Sequence, residues 1–183
     1  MDFRDIVAMA LDRNMRALKR ALDGLSVEER RFQPGPESNH IDYLVWHFTR
    51  VEDLFVSRAL RADSVWERDE WCERLGLPEK GNGARYTADQ MHNLPRYEMD
   101  EFQLYVDAVR EATLDYLSGL TEAELELPGT DDPSRAEYTV GHMWSQLMVE
   151  VAQHTGEVSY LRGLQRGIEA DLPPPVPSTS GAP

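Results

Sequence analysis

Apolar residues recur at intervals of three and four along four long segments of the chain, which is the spacing of an α-helix with one buried face. The four segments are residues 3–22, 40–61, 97–118 and 138–166. No segment shows the convincing alternation of apolar and polar residues that a half-buried strand would have. The pattern therefore predicts an all-α fold, a four-helix bundle that forms one domain over residues 1–168.

The connection between the second and third predicted helices, residues 62–95, is long and irregular. It contains Trp66 and Trp71 among several glycines and prolines. Connections of this length inside a compact domain are commonly binding loops or lids, and tryptophans need a surface on which to pack. We therefore expect this connection to pack on the bundle and to shape a substrate pocket. Its length leaves the up-down-up-down and up-down-down-up helix orders equally open.

The ends of the helices carry recognisable signals. Ser38 or Asn39 is expected to cap the second helix, and the stretch from Thr87 to Gln90 has the form of a capping box. After the fourth helix, residues 169–183 are rich in proline and predict an extended or disordered tail.

The charge balance excludes some classes of partner. The 183 residues carry 33 acidic and 19 basic side chains, a formal net charge of −14. A field of this sign repels phosphate backbones and anionic membrane surfaces. We therefore expect neither nucleic acid nor membrane as a partner, and we expect a small-molecule substrate instead.

The single cysteine, Cys72, excludes an internal disulfide, and no neighbouring base makes it a nucleophile. The first 20 residues lack the uninterrupted apolar core of a signal peptide. No other segment approaches the roughly 18 apolar residues that span a bilayer. These features predict a soluble cytoplasmic protein.

Three residues on the inner faces of the second and fourth helices have side chains that bind metal ions. Glu150 and His154 stand one helical turn apart, which places their Cβ atoms roughly 6 Å from each other. His47 is the polar residue in the middle of the second helix's apolar stripe. Imidazole and carboxylate bind zinc, nickel, iron and manganese, and a buried carboxylate is costly unless it is paired or binds a metal. The pattern predicts a metal site formed by His47, Glu150 and His154.

Each of these residues also has a plainer interpretation. His47 could be a core histidine that is hydrogen-bonded to the backbone, and Glu150 could extend to solvent at the edge of the stripe. Glu157 is the candidate catalytic residue, either as a partner of a ligand or as a proton acceptor. The remaining polar candidates are expected at the surface, and they are His40, His92, His142, Arg50 and Arg162.

Two segments together show a family resemblance. His47-Phe-Thr-Arg-Val-Glu-Asp53 and Gln153-His-Thr-Gly-Glu-Val-Ser-Tyr-Leu-Arg-Gly163 resemble the DinB/YfiT-like superfamily, and the similarity in order and spacing extends over about residues 3–168. The resemblance implies an up-down-down-up four-helix bundle, frequent dimers, and a divalent ion held by three side chains. His47 and His154 match two of the family's ligands. Glu150 stands where the commonest form of the family has a histidine.

The resemblance also indicates a class of reaction. Characterised relatives include transferases that use low-molecular-weight thiols. We expect a metal-dependent enzyme of the thiol S-transferase or hydrolase type, a homodimer, with nickel or zinc as the leading ions, iron or manganese as alternatives, and a low-molecular-weight thiol as a possible co-substrate. The alternative is a non-catalytic helical bundle that binds a ligand or serves a structural role.

Overall fold

The computed structural model describes residues 1–130, 132–135 and 137–167. The predicted proline-rich tail, residues 169–183, lies outside this part of the chain. The α-helices are α1 (Phe3–Leu22), α2 (Val27–Arg30), α3 (Ile41–Leu60), α4 (Val65–Arg68), α5 (Trp71–Leu75), α6 (Ala88–His92), α7 (Met99–Gly119) and α8 (Val140–Arg166). Two 3₁₀ turns, Glu124–Glu126 and Pro133–Arg135, precede α8, and the described residues form no strand. The predicted all-α fold is confirmed.

The four long helices, α1, α3, α7 and α8, form the core of the molecule. Helix α3 packs against both α7 and α8, and α1 packs mainly against α8. Every residue of α3 from Ile41 to Asp53 is buried, so this helix has no solvent-facing side over its first thirteen positions. The sequence predicts only one buried stripe there. The remaining faces are covered by the connection that leads from α3 to α7.

A buried ion pair ties three of the long helices together. Arg110 on α7 donates two hydrogen bonds to the carboxylate of Glu52 on α3, at 2.8 and 2.9 Å. The same guanidinium donates to the carbonyl oxygen of Leu11 on α1 at 2.7 Å. A guanidinium satisfied in this way can be removed from water without leaving an uncompensated charge.

The connection between α3 and α7 is more ordered than its sequence predicts, since it contains α4, α5 and α6. Ser64 and Thr87 cap α4 and α6 through capping boxes, the second of which was predicted. Trp66 is fully buried and Trp71 is 4% exposed, which confirms that this connection packs on the bundle. The Asp53 carboxylate on α3 accepts hydrogen bonds from the backbone N–H groups of Val65 and Trp66, so it holds the start of α4 against the bundle.

Several expectations for individual residues are wrong. Helix α3 is capped by His40 rather than by Ser38 or Asn39, because Nδ1 of His40 accepts a hydrogen bond from the backbone N–H of Tyr43 at 3.0 Å. His40 is consequently buried, not exposed.

Arg50 and Arg162 were also predicted at the surface, and both are buried. Both guanidiniums donate to backbone carbonyl oxygens, which stabilise a buried charge that the apolar pattern alone would exclude. His92 and His142 are exposed as predicted.

No helix in the described residues combines the length and the apolar character that crossing a membrane requires.

Candidate metal centre

The centre lies between two of the long helices, α3 and α8. Helix α3 carries His47, and α8 carries Glu150 and His154 one turn apart on the face toward α3. Oε1 of Glu150 lies 3.2 Å from Nε2 of His47 and 3.2 Å from Nε2 of His154. The side chains of these three residues are 11%, 24% and 13% exposed in the order His47, Glu150, His154. The site is therefore largely shielded but still open to solvent at the carboxylate.

Both imidazoles make a second contact on the side of the ring away from Glu150. Nδ1 of His47 lies 2.5 Å from the carbonyl oxygen of Asn82, and Nδ1 of His154 lies 2.9 Å from Oε2 of Glu157. A carbonyl oxygen and a carboxylate accept hydrogen bonds and do not donate them. Each Nδ1 therefore carries the hydrogen, and the Nε2 atom of a neutral imidazole presents its lone pair toward Glu150.

When both imidazoles are neutral, three acceptor atoms converge with no hydrogen atom between them. Their mutual distances would then be unfavourable in isolation, and a cation at the centre of the group would relieve the repulsion. Two ligand atoms bound at about 2.1 Å are about 3.0 Å apart at an octahedral angle and about 3.4 Å apart at a tetrahedral angle. The observed 3.2 Å separations fall between these values. His47, Glu150 and His154 form a group whose ligand atoms all lie within 4.8 Å of one another, and they fit a divalent ion.

Aromatic rings enclose the two histidines. The Tyr43 ring stacks on His47 with a centroid distance of 5.6 Å and an angle of 5°, and the Phe48 ring lies 6.4 Å from His154 at 10°. Burial, with a further contribution from the nearby Tyr86, Glu150 and Glu157, raises the pKa of the Tyr43 phenol. The Tyr43 hydroxyl therefore keeps its proton and donates a hydrogen bond to the carbonyl oxygen of Gly83 at 3.1 Å.

Sequence reasoning missed Asn82, the residue whose backbone carbonyl orients His47. A backbone contact leaves no mark in the type of side chain at that position. A usable signal lay in the flanking residues, because Gly81 and Gly83 both have positive φ angles, +82° and +80°. Two such glycines around one residue indicate a tightly specified backbone path.

Other candidates lie apart from the centre. Cys72 is half-buried, and His92 contacts Gln33 at the surface. A cavity of about 1020 Å³ opens at the end of α3, where residues 57–63 face residues 127–130 across the start of α8. None of the residues that line it belongs to the group around Glu150, so this cavity and the candidate metal site occupy different places.

Comparison with known proteins agrees with the fold. A solved structure, titled as the crystal structure of the conserved protein of locus from Enterococcus faecalis, superimposes with a TM-score of 0.81 at 22% sequence identity. The alignment covers 90% of this chain and 97% of that one, and at this identity it shows the fold alone. No curated protein gives a significant match.

A comparison with protein families also gives a match. Residues 10–158 match the DinB superfamily, a range that includes α3 with His47 and the part of α8 that carries Glu150 and His154. This range exceeds half of the 183 residues. The chain therefore belongs to the DinB superfamily.

Proposed function

We propose that this protein is a divalent-metal-dependent enzyme of the thiol S-transferase or hydrolase type. The observation that carries the proposal is the convergence of two imidazole Nε2 atoms on Oε1 of Glu150, while both Nδ1 atoms donate elsewhere. Membership of the DinB superfamily supports the same interpretation.

The composition of the group favours catalysis over a purely structural role. Within the part of the chain that the structure describes, the group consists of the three side chains His47, Glu150 and His154. Structural zinc sites are closed by four protein ligands, whereas catalytic sites have three and leave a position for water or substrate. The 24% exposure of the Glu150 side chain supplies a route by which a small molecule could reach that position.

The residues of the group would have different roles in the reaction. A divalent ion held here would lower the pKa of a thiol or a water molecule and so supply a nucleophile at neutral pH. His47 and His154 contribute neutral nitrogen ligands, and Glu150 contributes the negative charge of the set. Glu157 accepts the Nδ1 hydrogen of His154, which supports a role in orienting that ligand.

The ligand set also bears on the ion and the substrate. Two nitrogen ligands suit nickel and zinc, and the carboxylate oxygen is compatible with iron and manganese as well. We propose a small electrophilic substrate with a low-molecular-weight thiol as co-substrate, in a cytoplasmic homodimer. Light scattering on the purified protein would test the dimer, and a mass of 20.9 kDa would show a monomer instead.

The first experiment measures metal content per chain after purification without chelator and dialysis against trace chelator. We expect wild type to retain an ion, and we expect His47→Ala, Glu150→Ala and His154→Ala each to lose it. His142→Ala is the matched control, because His142 lies on the same helix, is exposed and does not contact the group. Helical circular dichroism checks that each variant is folded.

The second experiment screens the metal-loaded protein for thiol transfer to small electrophiles and for hydrolysis. Activity that is present in wild type, absent in Glu150→Ala and unchanged in His142→Ala would support the proposal. Failure of folded wild-type protein to bind nickel, zinc, iron or manganese would refute it.

A further inference from the structure

A segment of the connection between α3 and α7 runs along one face of α3 and is hydrogen-bonded to it at successive positions. Tyr43, His47 and Arg50 lie on that face, spaced by four and three residues. Each contacts one backbone carbonyl oxygen of residues 79–83. Tyr43 contacts the carbonyl oxygen of Gly83 at 3.1 Å and His47 that of Asn82 at 2.5 Å. Arg50 contacts the carbonyl oxygen of Gly81 at 3.2 Å, so the two segments run in opposite directions. We call residues 79–83 the carbonyl strap.

The backbone of the carbonyl strap has little freedom to move. Gly83 has a φ of +80°, and a Cβ atom there would lie 2.5 Å from the Trp46 ring and 3.0 Å from the Tyr43 ring. A larger residue would therefore clash as well as strain the backbone. The Asn82 side chain accepts a hydrogen bond from the backbone N–H of Ala84 at 3.0 Å, which holds the residue from the other side.

The side chains that hold the carbonyl strap are themselves fixed. Arg50 donates to the carboxylate of Asp53 at 3.0 Å, and its guanidinium lies 4.7 Å from the centre of the Trp66 ring. Trp66 donates from Nε1 to the carbonyl oxygen of Glu79 at 3.1 Å, at the start of the strap. The strap is thus attached at both ends and in its middle to side chains that are almost completely buried.

We propose that the carbonyl strap selects the tautomer of His47 and thereby prepares its Nε2 for metal binding, with Tyr43 and Arg50 as positioning residues. Because the Asn82 carbonyl can only accept, it retains the single hydrogen of the neutral ring on Nδ1 and leaves the lone pair of Nε2 available to an ion. The metal part of this inference rests on the proposed function, whereas the tautomer is a property of the protein without metal.

Loss of the contacts that hold the carbonyl strap should change the tautomer of His47. Without a fixed acceptor at Nδ1, His47 can place its hydrogen on Nε2 and donate it to Oε1 of Glu150, 3.2 Å away. That tautomer has no lone pair directed at the centre of the group. Partners that orient a metal-binding histidine typically change metal affinity by about 10- to 100-fold.

The test uses the double variant Tyr43→Phe/Arg50→Lys. Phenylalanine keeps the ring that stacks on His47, and lysine keeps a positive charge beside Asp53. The variant removes the Tyr43 hydroxyl and the Arg50 guanidinium, which donate to the carbonyl strap. The matched control is Tyr97→Phe/Arg110→Lys, which removes a buried tyrosine donor to a backbone carbonyl and alters a buried arginine away from the strap. The melting temperatures of both variants are measured, so that their metal binding can be compared at a known loss of stability.

Two measurements are made on each protein. Nitrogen-15 NMR of the imidazoles in metal-free protein reports which ring nitrogen of His47 carries hydrogen, with His47→Gln used to assign the signal. Titration with Zn²⁺ reports the dissociation constant. We expect the strap variant to lose the uniform Nδ1–H tautomer and to bind Zn²⁺ about tenfold or more weakly, while the control matches wild type in both.

The outcomes separate this inference from the proposed function. If the strap variant keeps the Nδ1–H tautomer and binds Zn²⁺ within about twofold of wild type, the strap has no positioning role. If the control shifts the tautomer as strongly as the strap variant, the effect is general loosening of the bundle and the inference is wrong. If wild type shows the Nδ1–H tautomer but binds no metal, the proposed function fails while the strap's control of His47 stands.

Discussion

Oε2 of Glu157 lies 2.9 Å from Nδ1 of His154, one turn further along α8. The contact is on the opposite side of the imidazole from Nε2, which faces Glu150. His154 is therefore held between two carboxylates of its own helix, Glu150 at Nε2 and Glu157 at Nδ1. A carboxylate behind a histidine ligand orients the ring and increases its basicity.

This arrangement predicts that Glu157→Ala weakens metal binding by about 10- to 100-fold without abolishing it, because the three ligands remain. Glu157→Gln should lose less, since its amide oxygen can still accept the Nδ1 hydrogen. Gln153→Ala, an exposed neighbour on α8, is the control and should bind like wild type. The measurement is the Zn²⁺ dissociation constant. Equal affinities for Glu157→Ala and Gln153→Ala would exclude a role for the carboxylate.

Substitutions of Glu52 and Arg110 should have strongly non-additive effects on the free energy of unfolding. Their side chains are 3% and 9% exposed, so Arg110→Met leaves a buried carboxylate without its partner. We expect the free energy of unfolding to fall by about 3–5 kcal/mol. The double variant Glu52→Leu/Arg110→Met should recover most of this loss, because apolar residues of similar volume commonly replace a buried pair at little cost. Urea denaturation measures both, and a double variant no more stable than the single one would contradict the prediction.

His40 should make the stability of the protein sensitive to acid. Burial, followed by the positive charge of Arg31, lowers the pKa of His40 from 6.5 to about 4. The neutral ring accepts from the backbone N–H of Tyr43 through Nδ1 and contacts the carbonyl oxygen of Met91 through Nε2. Since the unfolded chain takes up a proton near pH 6.5 and the folded chain only near pH 4, this contribution to stability is complete above pH 6.5 and declines as the pH falls toward 4.

The loss attributable to His40 between pH 8 and pH 5 is about 2 kcal/mol. His40→Asn keeps a side chain that caps helices well but does not titrate. The variant's free energy of unfolding should therefore fall less than that of wild type over the same pH range, by about 2 kcal/mol. Denaturant unfolding at the two pH values provides the comparison. Parallel losses in both proteins would show that His40 is not the group responsible.

Substitutions at Gly83, in the carbonyl strap, and at Gly76, outside it, test how tightly the strap is packed. Both have positive φ angles, +80° and +64°, but only at Gly83 would an added Cβ meet other atoms, whereas Gly76 has nothing within 4 Å. Gly76→Ala should therefore lose about 1 kcal/mol of stability from backbone strain alone. Gly83→Ala should lose more, because the Trp46 ring must also move. The result is read from the melting temperature, and equal effects would mean that the ring accommodates the methyl group.

The net charge of −14 leads to a prediction about partners. The purified protein should show no salt-dependent binding to duplex DNA near physiological ionic strength, because its field repels phosphates. Fluorescence anisotropy with a labelled duplex provides the measurement. Micromolar affinity that falls steeply as salt is added would contradict it.

The sequence by itself determined the features that depend on residues close together in the chain. The intervals between apolar residues were sufficient for the four long helices, because each helix buries a face whose period is set by its own geometry. The spacing of Glu150 and His154 was sufficient to bring these two side chains together, since residues one turn apart on a helix are neighbours in any fold. Their joint approach to His47, 103 residues from Glu150, required the packing of α3 against α8.

Only the tertiary structure decided which residues support the site. Helical periodicity indicates one buried face, but α3 is enclosed on every side over residues 41–53 because the following connection covers it. That covering buries Arg50 and places the Asn82 carbonyl against His47. Every residue has a backbone carbonyl, so the type of residue at position 82 could not reveal this contact. The path of the chain between α3 and α7 determined it.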